Sequence, residues 1–176
     1  MSWQPGGVDQ FQAALVEEAT RKTGVIWIAV PGAGPPRPAW HIWHATHAEP
    51  TRRGDDPARG RRGAAYVVTG ENEQSLPGLG DAGQVTVMVP SKDSRGLLII
   101  WTADVGRVAP DSGEWAAVAD LLAARRRGGT EPLASLPERW AARATVFRLT
   151  PVDAVTDEEA LAREEDATRV DPGDAL

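Results

Sequence analysis

Residues 64–108 leave the chain little choice of fold. AAYVVTG, the turn-rich ENEQSLPGLGDAG, QVTVMVP and GLLIIWTADVGRV follow one another with almost no slack, which is room for three strands and a compact loop. Val85, Val87 and Val89 alternate with Thr86 and Met88. That period of two marks a half-buried strand and excludes a helical face. The segment reads as a meander of antiparallel sheet.

Around it the remaining elements fall into order. DQFQAALVEEATRK, residues 9–22, sets Phe11, Ala14, Leu15 and Ala19 on one helical face, with Asp9 as N-cap and Gly24 just past the end. VIWIAV follows as a short strand ended by Pro31, PGAGPPRP forms a turn, and AWHIWHA, residues 39–45, is the next strand. TRRGDDPARGRRG has five arginines, two aspartates and three glycines without an apolar anchor, and reads as a basic loop over 51–63. After the meander, Asp111 and Glu114 stand at capping-box spacing ahead of Trp115, Val118, Ala119 and Leu122, a helical stripe. Arg125, Arg126 and Arg127 close that helix before Gly128-Gly129, complementing its dipole. GTEPLASLPERW reads as a loop whose Leu133, Leu136 and Trp140 cover a core edge, and residues 141–150 as a last strand ended by Pro151. The sum is a mainly β, α+β chain with about six strands and two packed helices.

At 176 residues one domain is expected, large enough to bury a core without staples. The chain has no cysteine, which removes thiolate nucleophiles, iron–sulfur clusters and Cys-ligated zinc. Neither a spanning apolar run nor a leader pattern is read, so the expectation is a cytoplasmic protein away from membranes. Of the net charge of −6, residues 153–176 carry more than the whole, with nine acidic groups against Arg163 and Arg169. The expected division is a folded domain over 1–152 and an acidic tail over 153–176, and no nucleic-acid partner.

All three histidines, His41, His44 and His47, lie in WHIWHATH beside Trp40 and Trp43. On one strand they alternate faces and cannot converge on a metal, so no metal site is expected. Trp40, Trp43 and one or two imidazoles suit an interface or the rim of a groove, or stacking on a cofactor ring, with a histidine able to move a proton near neutral pH. Trp101 and Trp27 read as core. No G-x-S-x-G elbow or G-x-G-x-x-G fingerprint is present, and Glu71 and Glu73 read as solvated loop carboxylates.

The helix before VIWIAV, PAWHIWHA, AAYVVTGENEQSLPGL, QVTVMVPSKD, GLLIIWTADVGRV and EWAAVADLLAARR, taken in that order over residues 9–151, resemble the split β-barrel family of pyridoxamine-phosphate-oxidase-like flavoproteins and their deazaflavin-dependent actinobacterial relatives. The resemblance implies a six-stranded antiparallel split β-barrel with two flanking helices, paired as a homodimer with FMN or F420 in a groove between subunits. It implies a flavin- or deazaflavin-dependent oxidoreductase. The residues it assigns to cofactor contact are Trp40, His41, Trp43, His44, Thr69, Gln74 and Ser75, with Lys92 and Arg95 near the phosphate. The matching loop holds Thr69 and Ser75 but no cation, and Glu71 and Glu73 would repel a phosphate by on the order of a kcal/mol. A dimeric binding or scaffold barrel that has lost phosphate recognition is therefore the alternative, and heme on one axial histidine, a use of related barrels, a third.

Overall fold

The computed structural model describes residues 10–48, 61–93 and 96–156. Its elements are α1 (Gln10–Lys22), β1 (Val25–Ala29), β2 (Arg37–Trp40), β3 (Ile42–Ala48), β4 (Arg61–Gly70), β5 (Gln84–Pro90), β6 (Leu97–Val108), α2 (Gly113–Arg125), α3 (Leu136–Arg143) and β7 (Ala144–Thr156), with a 3-10 turn at Leu133–Ser135. The strands form one sheet in the order β2-β1-β5-β6-β7-β4-β3, every ladder antiparallel. Among the described residues there are seven strands, not six, and three helices, not two.

The seventh strand comes from AWHIWHA. It breaks at His41: β2 pairs with β1 at one edge of the sheet, while β3 pairs with β4 at the other. A straight strand cannot serve both edges, so the one-residue corner at His41 is where the sheet curls round to meet itself.

Two cores follow from that curl. Val16, Ile26, Ile28, Val67, Val85, Val87, Val89, Ile99, Trp101, Phe147 and Leu149 fill the barrel interior, joined by Leu76 and Leu79 from the loop after β4. On the other side of β4 and β7, Tyr66, Val68 and Val146 pack with Trp115, Val118 and Leu122 of α2 and Leu136 and Trp140 of α3. β4 is buried on both faces, which is why AAYVV is continuously apolar. Each fully buried side chain of this size contributes about 1.5–3 kcal/mol.

Several boundaries differ from the sequence reading, each for a local reason. β4 begins at Arg61, so the last three residues of the basic loop are strand; residues 51–60, like Asp9, lie outside the described residues. Gly63 is required there because a Cβ would overlap the Trp43 indole. α1 buries Val16, Ala19 and Thr20, while Phe11 is 78% exposed. α2 is capped by the hydroxyl of Ser112, which accepts from the Trp115 N–H at 3.1 Å. Glu114 instead pairs with Arg148 of β7 at 2.6 Å, whose guanidinium crosses the space a Cβ at Gly106 would need.

LPERWAAR is a helix, neither loop to Trp140 nor strand from Ala141, its Leu136 and Trp140 fully buried, and the last strand starts at Ala144. β7 runs through Pro151 to Thr156, past the expected domain boundary. Proline is accommodated because β4 stops pairing at Leu149 and a register shift, Thr102 opposite Asp153 and Ala103 opposite Pro151, bulges the strand there. The rest of the acidic tail lies outside the described residues. No described helix is long and apolar enough to cross a membrane.

Candidate functional site

The aromatic segment is dispersed by the corner at His41. Trp43 pairs with Ala65 and turns into the barrel, edge-on to Trp101 with ring centroids 6.2 Å apart. His44 pairs with Ala64 and falls on the opposite face, toward the α2 side, where its Nδ1 is buried without a partner. His41 is 2% exposed, with Nε2 2.7 Å from the Thr20 carbonyl at the end of α1. Burial holds its pKa below the usual imidazole value, the Thr20 hydrogen bond opposing and the Arg125 charge reinforcing the shift. The backbone of His47 lies in β3 opposite Arg62. No group of three potential metal ligands occurs among the described residues.

Trp40, Thr69 and Gln74 are brought together. The Gln74 side chain imitates a strand: its Oε1 accepts from the Trp40 N–H and its Nε2 donates to the Trp40 carbonyl, both at 2.9 Å. A single bridge joins Thr69 to Gln74 and closes the turn, leaving Ser75 exposed on it. The Trp40 ring lies 6.4 Å from that of Trp140.

Glu73, read from sequence as solvated, is the best-held group in this region. Its side chain is 1% exposed. It accepts from Arg126 Nε at 3.0 Å, Arg139 Nη2 at 2.6 Å and Trp140 Nε1 at 2.9 Å. The same arginines bond the turn's carbonyls at Asn72 and Glu71. Arg126 therefore does more than end a helix.

One surface was not visible from single residues. Cross-strand pairing aligns Trp27 of β1, Met88 of β5, Ile100 of β6 and Val155 of β7 in one row across the outer face of the sheet. Trp27 is 40% exposed, not core, because Ile26 and Ile28 take the inward positions on either side of it. Val25, 41% exposed, extends the row toward the end of the sheet where it pairs with Trp40. The β5–β6 hairpin carrying exposed Lys92 projects from that same end, since Pro90 continues the register that pairs Trp27 with Met88. Arg95 lies outside the described residues. The signal was present in the alternation: Met88 sits at an outward position of QVTVMVP, where a solvated face would carry a polar residue.

This combination of an apolar outer stripe, an indole at its edge and a cation beyond it suits a flat conjugated ring with an acidic tail. No family model and no curated protein matches the chain. Solved structures do resemble it. HutZ, the heme storage protein of Vibrio cholerae, is 13% identical over 86% of this chain and 95% of that one, with a TM-score of 0.51. An F420 reductase is 14% identical over 79% and 94%, with a TM-score of 0.48. A FAD-binding protein of Mesorhizobium loti is 13% identical over 85% and 94%, with a TM-score of 0.42. At 13% identity the likeness to HutZ is one of fold, and the curled antiparallel sheet with its helices is that of a split β-barrel.

Proposed function

We propose that this split-barrel chain pairs with a second copy through its outer sheet face and holds a flavin or deazaflavin, FMN or F420, in the cleft between copies as an oxidoreductase. The observation carrying this reading is the aligned row Trp27-Met88-Ile100-Val155, which ends beside Trp40 and the Lys92 hairpin. An apolar row across four strands, with Val25 and Leu98 exposed beside it, fits an interface.

The residues fit such a group unevenly. The ring side is supplied by Trp27 and Trp40. The phosphate side falls to Lys92, with the hydroxyls of Thr69 and Ser75 on the neighbouring turn. The cofactor would supply the hydride chemistry, and the chain's part is to orient the ring and exclude water. Gln74 holds Trp40 in place through the paired bonds described above, fixing one wall of the cleft. His41 and Trp43 act from inside the barrel, by setting the corner that positions Trp40.

The second reading, a dimeric barrel without a cofactor, is favoured by one observation: Arg126 and Arg139 are already held by Glu73. An absorption spectrum of purified protein, before and after adding FMN, F420 or heme, separates the two. Binding of FMN or F420 with quenching of tryptophan fluorescence, weakened by Lys92→Ala, is expected. A colourless protein whose Tm is unmoved by any of the three overturns the cofactor reading, since a ligand at a hundred times its Kd adds about 2.7 kcal/mol. Heme binding alone would move the chain to the third reading.

A further inference from the structure

Glu73 sits in a hole made of donors. Arg126 arrives from the end of α2 and Arg139 and Trp140 from α3, and all three point at one carboxylate. The guanidinium side chains are 12% and 15% exposed, so both charges are largely out of water. Glu131 answers Arg139 from the outer side, Oε2 to Nε 3.0 Å. Without Glu73, two cations and an indole N–H would face a space with one carboxylate nearby, a net positive and desolvated site.

The hole is also fixed in place from the turn's side. Gly70 has φ 144° and sits so close to the α3–β7 junction that a Cβ would come within 2.8 Å of the Ala144 Cα. Asn72 takes the left-handed conformation at φ 63°. Arg126 and Arg139 then clamp the Asn72 and Glu71 carbonyls at 3.2 and 3.1 Å. The donors are thus positioned by α2, α3 and the turn backbone, and not by the Glu73 side chain alone.

We propose that α2, α3 and this turn form a built anion hole that the chain fills with its own Glu73, and that takes a small free monocarboxylate when that side chain is cut back. Glu73→Ala removes the two carbons and two oxygens beyond Cβ, the heavy atoms of acetate. The donor geometry is bifurcated on one oxygen and single on the other, matching a carboxylate rather than a spherical halide. A corollary is that Arg126 and Arg139 are unavailable to any external anion in the native chain. The inference stands independently of the cofactor reading.

The test is thermal unfolding of Glu73→Ala in sodium acetate and sodium formate against sodium chloride at equal ionic strength. Acetate and formate are expected to raise its Tm by several degrees, saturably, while the native chain and Glu73→Gln, whose amide fills the hole, respond to acetate no more than to chloride. A Glu73→Ala protein indifferent to the choice of anion overturns the proposal, as does an equal acetate response in the native chain. If Glu73→Ala does not fold in chloride, its yield on refolding in acetate is the readout: recovery supports the hole, and no recovery overturns it.

Discussion

His41 turns the barrel's corner, and its environment makes it acid-sensitive. The ring is buried, its Nε2 faces the Thr20 carbonyl, and Arg125 stands near enough to oppose a positive charge; the backbone hydrogen bonds to Thr20 and Ala39 only partly offset burial. Its folded pKa lies below the ordinary 6.5, so as pH falls the unfolded chain takes up the proton first. Its contribution is therefore full above about 6.5 and declines as pH drops from there toward the folded value. Urea midpoints from pH 8 to 5 should fall for the native chain, with a shallower slope for His41→Gln; equal slopes would remove His41 from the account. Glu73 offers a second prediction: Glu73→Gln leaves two buried guanidiniums with Glu131, on Arg139, as their remaining acidic partner and should cost about 3 kcal/mol in urea unfolding, whereas Glu71→Gln, on an exposed side chain, should stay within about 0.5 kcal/mol. WHIWHATH was legible as an aromatic and imidazole cluster. The corner was not, because nothing in a run of strand-forming residues says that its two halves pair with opposite edges. Glu73 was illegible for a related reason: its partners lie 53, 66 and 67 residues away in the chain.

At the level of elements, local pattern served well wherever one face was apolar and the other was not. Trp115, Val118, Ala119 and Leu122 are all buried on α2 as their spacing predicts, and the β5–β6 ladder is antiparallel with Val85, Val87 and Val89 inward. Failure came where tertiary contact overrides local signal. α3 has only eight residues, with Pro137 near its start, and a helix that short is marginal alone; it persists because Leu136 and Trp140 are buried against α2 and β7 and Arg139 is tied to Glu73. The α1 face was misjudged because Phe11 looks like an anchor by size, yet the first turn of the helix extends beyond the core. The α2 cap makes the distinction measurable. Ser112→Ala should cost about 1 kcal/mol, the loss of a side-chain cap, while Asp111→Ala should change stability by no more than about 0.5 kcal/mol. Chemical denaturation of the two variants decides between the hydroxyl cap and the capping box read from the sequence.

For the whole molecule, the inner and outer faces of one sheet have different tasks. The inner face closes on Trp101 and Trp43, and the described residues pack the barrel interior. The outer face leaves apolar side chains exposed on β1 and β6, with Leu98 at 45% joining Trp27 and Val25. Met88 and Ile100 face each other at the centre of that row, each only partly buried and neither part of the barrel interior. An aspartate at either position should therefore leave the monomer's core intact, lowering its stability by no more than about 1 kcal/mol. In an interface it would place an unpaired charge among apolar groups, which costs several kcal/mol per buried ion. In a two-fold assembly the charge is introduced twice. The prediction is that sedimentation equilibrium finds the native chain at twice the monomer mass and Met88→Asp or Ile100→Asp at the monomer mass, with far-UV spectra unchanged. The same variants should lose FMN or F420 binding together with dimerisation if the cleft lies between copies. Dimeric variants would move the interface to another face, and a variant that is monomeric yet still binds the cofactor would place the ring on a single barrel's surface.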